Sequence, residues 1–151
     1  AFALLLDSPL LTIAENPFVL SGDERYRPAL DIIRRLPTVW DETVVLPQSE
    51  IGRLAIIARR KGGTWHIAGV NTAPAAGIIR PQATREKNVR FFSRVPPLSG
   101  SRRHRIERHS ASRIIRDAAD GSLQTAEVAL PAPEPLVMQL PENGGFIVVL
   151  E

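Results

Sequence analysis

The sequence contains no cysteine, which removes disulfides, thiol nucleophiles and thiolate metal ligands at once. Histidine is scarce: His66, His104 and His109 complete the set. The last two stand five residues apart, the wrong spacing for two ligands on one helical face, and no acidic cluster accompanies them, so no metal site is expected. Long apolar runs are missing too. The longest are residues 1–6 and 146–150, far short of the roughly 20 needed to cross a bilayer, so no membrane partner is expected. There is no Gly-x-Ser-x-Gly elbow, Walker loop or dinucleotide glycine pattern, which leaves neither a serine-hydrolase nucleophile nor a phosphate cradle.

What remains is a chain of 151 residues with 44% hydrophobic content, enough for one ordinary domain and the remnant of another. Its opening at Ala1, inside an apolar run and with no basic leader, is expected of a piece of a longer protein rather than of a signal peptide. The net charge of +3 is modest but unevenly placed. From Arg80 to Arg116 many arginines, among them Arg102, Arg103 and Arg105, face only Glu86 and Glu107. A phosphate backbone would suit such a run, but single-strand binders pair charge with stacking aromatics, and only Phe91 and Phe92 are at hand. No nucleic-acid partner is therefore expected.

Along the chain, Asp7-Ser8-Pro9 offers a cap and a first-turn proline, predicting a helix over residues 9–16. Residues 18–27 read as a connection, with Ser21-Gly22-Asp23 as its turn. Between Pro28 and Pro37, Leu30, Ile33 and Leu36 recur at helical spacing, predicting an amphipathic helix with one buried stripe. The stretch from Leu36 to Val70 organises the rest. The apolar runs 54–58 and 65–70, joined across Gly62-Gly63, predict a hairpin whose turn takes positive φ. The tail returns to β character at 125–130, 136–140 and 146–150, and Asn143-Gly144-Gly145 predicts a closing hairpin between the last two. Many short strands punctuated by proline and glycine point to a sandwich or partial barrel.

The order LPTVWDET, a spacer, IGRLAIIARRKGGTWHIAGVN and a terminal GGFIVVL resembles the C-terminal part of glycoside hydrolase family 97, a family of α-glucosidases and α-galactosidases. The likeness is dense over residues 2–71, weak over 72–111 and faint beyond. It implies an α+β fragment: residues 1–40 as the last helical segments of a (β/α)8 catalytic barrel, and residues 41–151 as a small antiparallel, sandwich-like β domain. It further implies that the whole enzyme is a calcium-dependent, exo-acting bacterial glycosidase, periplasmic or secreted. Its catalytic carboxylates and calcium ligands lie upstream, so no catalysis and no cofactor are expected of this chain. The partners implied are the rest of the barrel and a second copy through the β domain. Residues 77–111 break the family's alternation with arginine, serine and proline. Two readings fit: a compensated reading-frame shift, or a divergent and poorly ordered insertion.

The residues singled out are Trp40, Asp41, Glu42, Thr43 and Trp65. Glycoside hydrolysis needs two carboxylates converging on one bond. Neighbours in an extended segment point to opposite sides, so Asp41 and Glu42 read as anchors of a joint instead. Trp40 and Trp65 read as domain core or interdomain packing, the alternative being a sugar-stacking pair in a free-standing carbohydrate-binding or interaction module.

Overall fold

The computed structural model describes residues 1–73, 78–79, 81–84, 88–91, 111–129 and 138–151. Three helices come first: α1 (Phe2–Leu5), α2 (Pro17–Gly22) and α3 (Arg27–Arg35). The strands follow as β1 (Glu42–Val45), β2 (Leu54–Lys61), β3 (Thr64–Asn71), β4 (Ile78–Ile79), β5 (Pro81–Thr84), β6 (Asn88–Phe91), β7 (Ala111–Asp117), β8 (Leu123–Ala129), β9 (Met138–Gln139) and β10 (Gly145–Leu150). The main sheet has six strands in the order β1-β2-β3-β10-β7-β8, with every pairing antiparallel. The strands β4 with β9 and β5 with β6 make two small antiparallel pairs.

The predicted hairpin is β2 and β3, paired from Leu54↔Asn71 to Lys61↔Thr64, with Gly62 at φ 58° in its turn. Alternation then sorts side chains onto two faces. On one, the core face, Ile56, Ala58, Trp65, Ile67, Ile114, Phe146, Val148 and Leu150 pack with Leu46 and Leu140. On the other, the helix face, Ile32 of α3 packs against Ile115 and Val149, and α1 crosses β2 and β3 with Leu4 buried. Gly69 lies under the Phe146 ring: a Cβ built there would sit 2.3 Å from Phe146 Cε1. An aromatic thus fills the gap left by a strand glycine on its cross-strand partner, Gly69 facing Phe146 directly.

Three local expectations need correction. Residues 9–16 form no helix, because the Ser8 hydroxyl closes a local turn with Leu10, accepting from its N–H at 3.2 Å and donating to its carbonyl at 2.7 Å. The helix forms one proline later, inside the expected connection, where Asn16 Oδ1 accepts from Phe18 N–H and Pro17 opens α2. In α3 the face against the sheet is Ala29, Ile32 and Leu36, rotated from the expected stripe, while Leu30 and Ile33 are half-buried on its flank. Finally, β10 does not close on the preceding segment. It is apolar on both faces and takes the interior of the sheet, between β3 and β7, while β9 pairs with β4.

Within 77–111, strands β4, β5 and β6 supply regular backbone that the irregular reading of that interval did not anticipate. The rest of the interval, including residues 92–110 and the cluster at 102–105, lies outside the described residues. The six-stranded antiparallel sheet with few helices agrees with a sandwich-like β domain.

Candidate functional site

The segment 40–43 leaves α3 and enters the sheet edge, and its four side chains diverge. Asp41 turns to the β2–β3 hairpin, where Oδ2 accepts the Gly62 N–H at 2.7 Å and Oδ1 lies 3.1 Å from Lys61 Nζ. Those donors, the Gly62 N–H first, hold the Asp41 carboxyl below its ordinary range. Glu42 reaches instead to Arg60, which donates from Nε at 3.1 Å across the β1–β2 pair. The two carboxylates are therefore separate anchors and do not converge on one bond. Thr43 stands exposed on β1 opposite Arg59.

The two tryptophans lie on opposite sides of the sheet. Trp65 is 5% exposed within the core face, opposite Arg60 on β2 and Leu150 on β10. Trp40 is half-buried over the helix face, edge-on to His66 with ring centroids 5.2 Å apart. A joint sugar platform built from both rings is excluded by that placement.

Around Trp40 the structure gathers a cluster that residue types alone did not announce. Arg59 and His66 are cross-strand partners on the helix face, and both are buried, at 2% and 8% exposure. The Arg59 guanidinium carbon lies 5.7 Å from the Trp40 ring centroid, a cation–π distance. Its Nη2–H donates a long bond of 3.4 Å to the Leu5 carbonyl at the end of α1. Its Nη1 lies 3.4 Å from Asp7 Oδ1, whose side chain is 89% exposed. Arg59 Nε and His66 Nδ1 have no hydrogen-bond partner among the described residues. Burial pushes the His66 pKa down, opposed in part by the charge of Glu151.

Taking a guanidinium out of water costs several kcal/mol unless it is fully paired. Here the pairing is partial: one long carbonyl bond, one loose ion pair and one aromatic face. Arg59 thus ties the C-terminal end of α1 and the following Asp7 to the hairpin and to Trp40. The one signal in the sequence was an arginine sharing strand parity with Ala55 and Ile57 directly after the apolar run 54–58.

Beside this cluster a cavity of about 120 Å³ opens between α3 and the sheet, lined by Asp31, Arg35, His66, Arg113 and Glu127 among others. Its charges alternate in sign, and Arg113 Nε lies 3.8 Å from Glu127 Oε1. Among the described residues no group of three or more His, Asp or Glu side chains converges as a metal ion requires.

A family model described as glycosyl-hydrolase 97 C-terminal, oligomerisation, matches residues 39–81, the span that opens at the Trp40 joint and includes β1 to β3. A retaining alpha-galactosidase of Bacteroides thetaiotaomicron is 32% identical over 78 residues, which cover 52% of this chain and 11% of the relative. The crystal structure of a beta-arabinopyranosidase aligns with a TM-score of 0.70 at 20% identity, over 97% of this chain and 20% of that one. At that identity the likeness is one of fold. The chain spans a small fraction of the length of either protein.

Proposed function

We propose, from the premise that this chain is a C-terminal part of glycoside hydrolase family 97, that it serves an α-glycosidase as its C-terminal structural and oligomerisation region. The observation that carries this reading is the coincidence of the matched span, residues 39–81, with strands β1 to β3 and the Arg59–Trp40 contact. The catalysis of the whole protein, hydrolysis of α-galactosides or α-glucosides, belongs in this reading to an upstream barrel. The likeness to a retaining alpha-galactosidase supports the galactoside side of that pair.

In the same reading residues 1–40 are the last helical segments of the barrel, and residues 41–151 are the β domain. Support comes from the exposed apolar side chains of the N-terminal segment, Phe2, Leu6, Leu10 and Phe18. An apolar surface of that kind calls for a cover. On the same face of the sheet, Arg59 holds the end of α1 beside Trp40, which fixes that apolar segment against the β domain. Trp40, Asp41, Glu42 and Thr43 then anchor the joint, and Trp65 the domain core. Calcium and the catalytic carboxylates are assigned to the upstream part, and the whole enzyme to the periplasm or the exterior of a bacterium.

The test uses the chain by itself. It is expected to sediment as an oligomer and to leave nitrophenyl α-galactoside and α-glucoside intact. Turnover of either substrate by this chain, or a monomer at about 100 µM, would overturn the reading.

A further inference from the structure

We propose that two copies of this chain associate through the outer edge of β8, which among the described residues carries no further strand, antiparallel about a two-fold axis at Ala126, extending the six-stranded sheet across the dyad. The inference rests on the oligomerisation reading above and names the surface that performs it.

The sheet ends in β1 on one side and β8 on the other. The β1 edge has four residues; Glu42 is bridged to Arg60, and the adjoining Asp41 is tied to Gly62 and Lys61. A short, charged edge resists pairing with another strand. The β8 edge differs in each respect. It has seven residues, LQTAEVA, with no proline, no lysine and a single charge, Glu127. Among the described residues its one strand partner is β7. Gln124 and Ala126 on the core face and Thr125 and Glu127 on the helix face are all exposed, so neither face of the strand's middle is covered. Such an edge presents a row of backbone donors and acceptors to a further strand.

The sequence of β8 also fits its own reverse. In an antiparallel pair, directly opposed residues share a face, so the two-fold axis must pass through a residue position. An axis at Ala126 pairs the strand along its whole length, setting Leu123 opposite Ala129, Gln124 opposite Val128 and Thr125 opposite Glu127 of the second copy. The smallest side chain of the middle then meets itself at the axis. An axis at Glu127 would set that carboxylate against its own copy, a like-charge pair. An axis at Thr125 would leave Val128 and Ala129 unpaired.

Because the chain has no cysteine, one substitution introduces the sole thiol. In Ala126→Cys the two thiols face each other across the axis at a Cα separation of about 4.5–5.5 Å, within reach of a disulfide. Air oxidation is expected to convert most of that variant to a covalent dimer. Gln124→Cys, whose copies would lie roughly 13 Å apart along the strands, and Thr43→Cys on the β1 edge are expected to stay uncrosslinked. Ala126→Lys, which sets two ammonium groups at the axis, is expected to weaken association about tenfold or more in sedimentation equilibrium. A wild-type dimer that survives Ala126→Lys, or that crosslinks at Thr43→Cys and not at Ala126→Cys, would overturn the β8 assignment while leaving the oligomerisation reading intact. A monomeric wild type would overturn both.

Discussion

The two faces of the central sheet are built from the same strands yet stabilised differently. The core face is mainly apolar, built on Trp65, Phe146 and Ile56; its buried polar side chains, Ser112 and Asn71, are hydrogen-bonded within the chain, and the gap at Gly69 is filled by the Phe146 ring. The helix face mixes apolar contacts through Ile32, Ile115 and Val149 with a buried arginine, a buried histidine and a half-exposed tryptophan. Where burial is apolar, each contact is complete within the chain. Where charge is buried, its pairing within the chain is partial. That difference separates a face closed by apolar packing from one that retains partly paired polar groups.

The comparison breaks most readily at the tryptophans. Trp65→Ala empties a site in the core face and is expected to cost about 3–5 kcal/mol in urea unfolding, as for other buried large-to-small changes. Trp40→Ala removes a half-exposed ring and is expected to cost less than half of that. Equal losses would show that the helix face contributes to stability as the core face does.

Gly69→Ala tests the next level. Its new methyl meets a ring that is itself 2% exposed and unable to swing away, and overpacking of this kind costs about 1–3 kcal/mol. In the Phe146→Leu background the same substitution should cost less, and a double-mutant cycle of unfolding free energies measures the difference. Purely additive losses would mean that the ring does not sit over the glycine.

Arg59→Met sharpens the contrast from the other side. Replacing an incompletely paired buried charge by an apolar side chain of similar volume is expected to leave stability within about 1 kcal/mol, or to raise it. A large loss on thermal unfolding would show that the bonds to Leu5 and Asp7 already satisfy the guanidinium.

The smallest expected effect is a pH dependence. Burial lowers the folded pKa of His66 below its ordinary 6.5, so the unfolded chain takes up the proton first as pH falls. Stability from this residue is full above about pH 6.5 and declines as pH drops through that value toward the folded pKa. His66→Phe should flatten that limb of the stability profile relative to wild type, and an unchanged slope would place its origin in other groups.

Much of the β2–β3 hairpin could be read directly. Two apolar runs around Gly62-Gly63 carry their own turn, and the pairing is local in sequence. The divergence of Asp41 and Glu42 followed from extended geometry alone, before either partner was known. The start of α3 next to Pro28, which lies in its first turn, and its end before Pro37 were equally legible, because proline acts on its own residue and its neighbours. The site was less legible. Arg59 and Trp40 are nineteen positions apart in sequence and meet only because β1 docks beside β2. Likewise Ser8-Pro9 and Asn16-Pro17 carry the same helix-starting signal, and hydrogen bonds to Leu10 in one case and to Phe18 in the other decide between them.

By itself, the sequence determined the elements whose information is local: the hairpin, the amphipathic third helix, the lack of thiol chemistry, and a family resemblance dense enough to name. Tertiary structure alone decided that the last strand enters the sheet between β3 and β7, that the tryptophans face apart, and that an arginine following an apolar run is buried between α1 and Trp40. The reason is physical. Turns and caps act within a few residues through backbone geometry, whereas strand order and the burial of a charge are settled by competition among distant surfaces for the same apolar contacts.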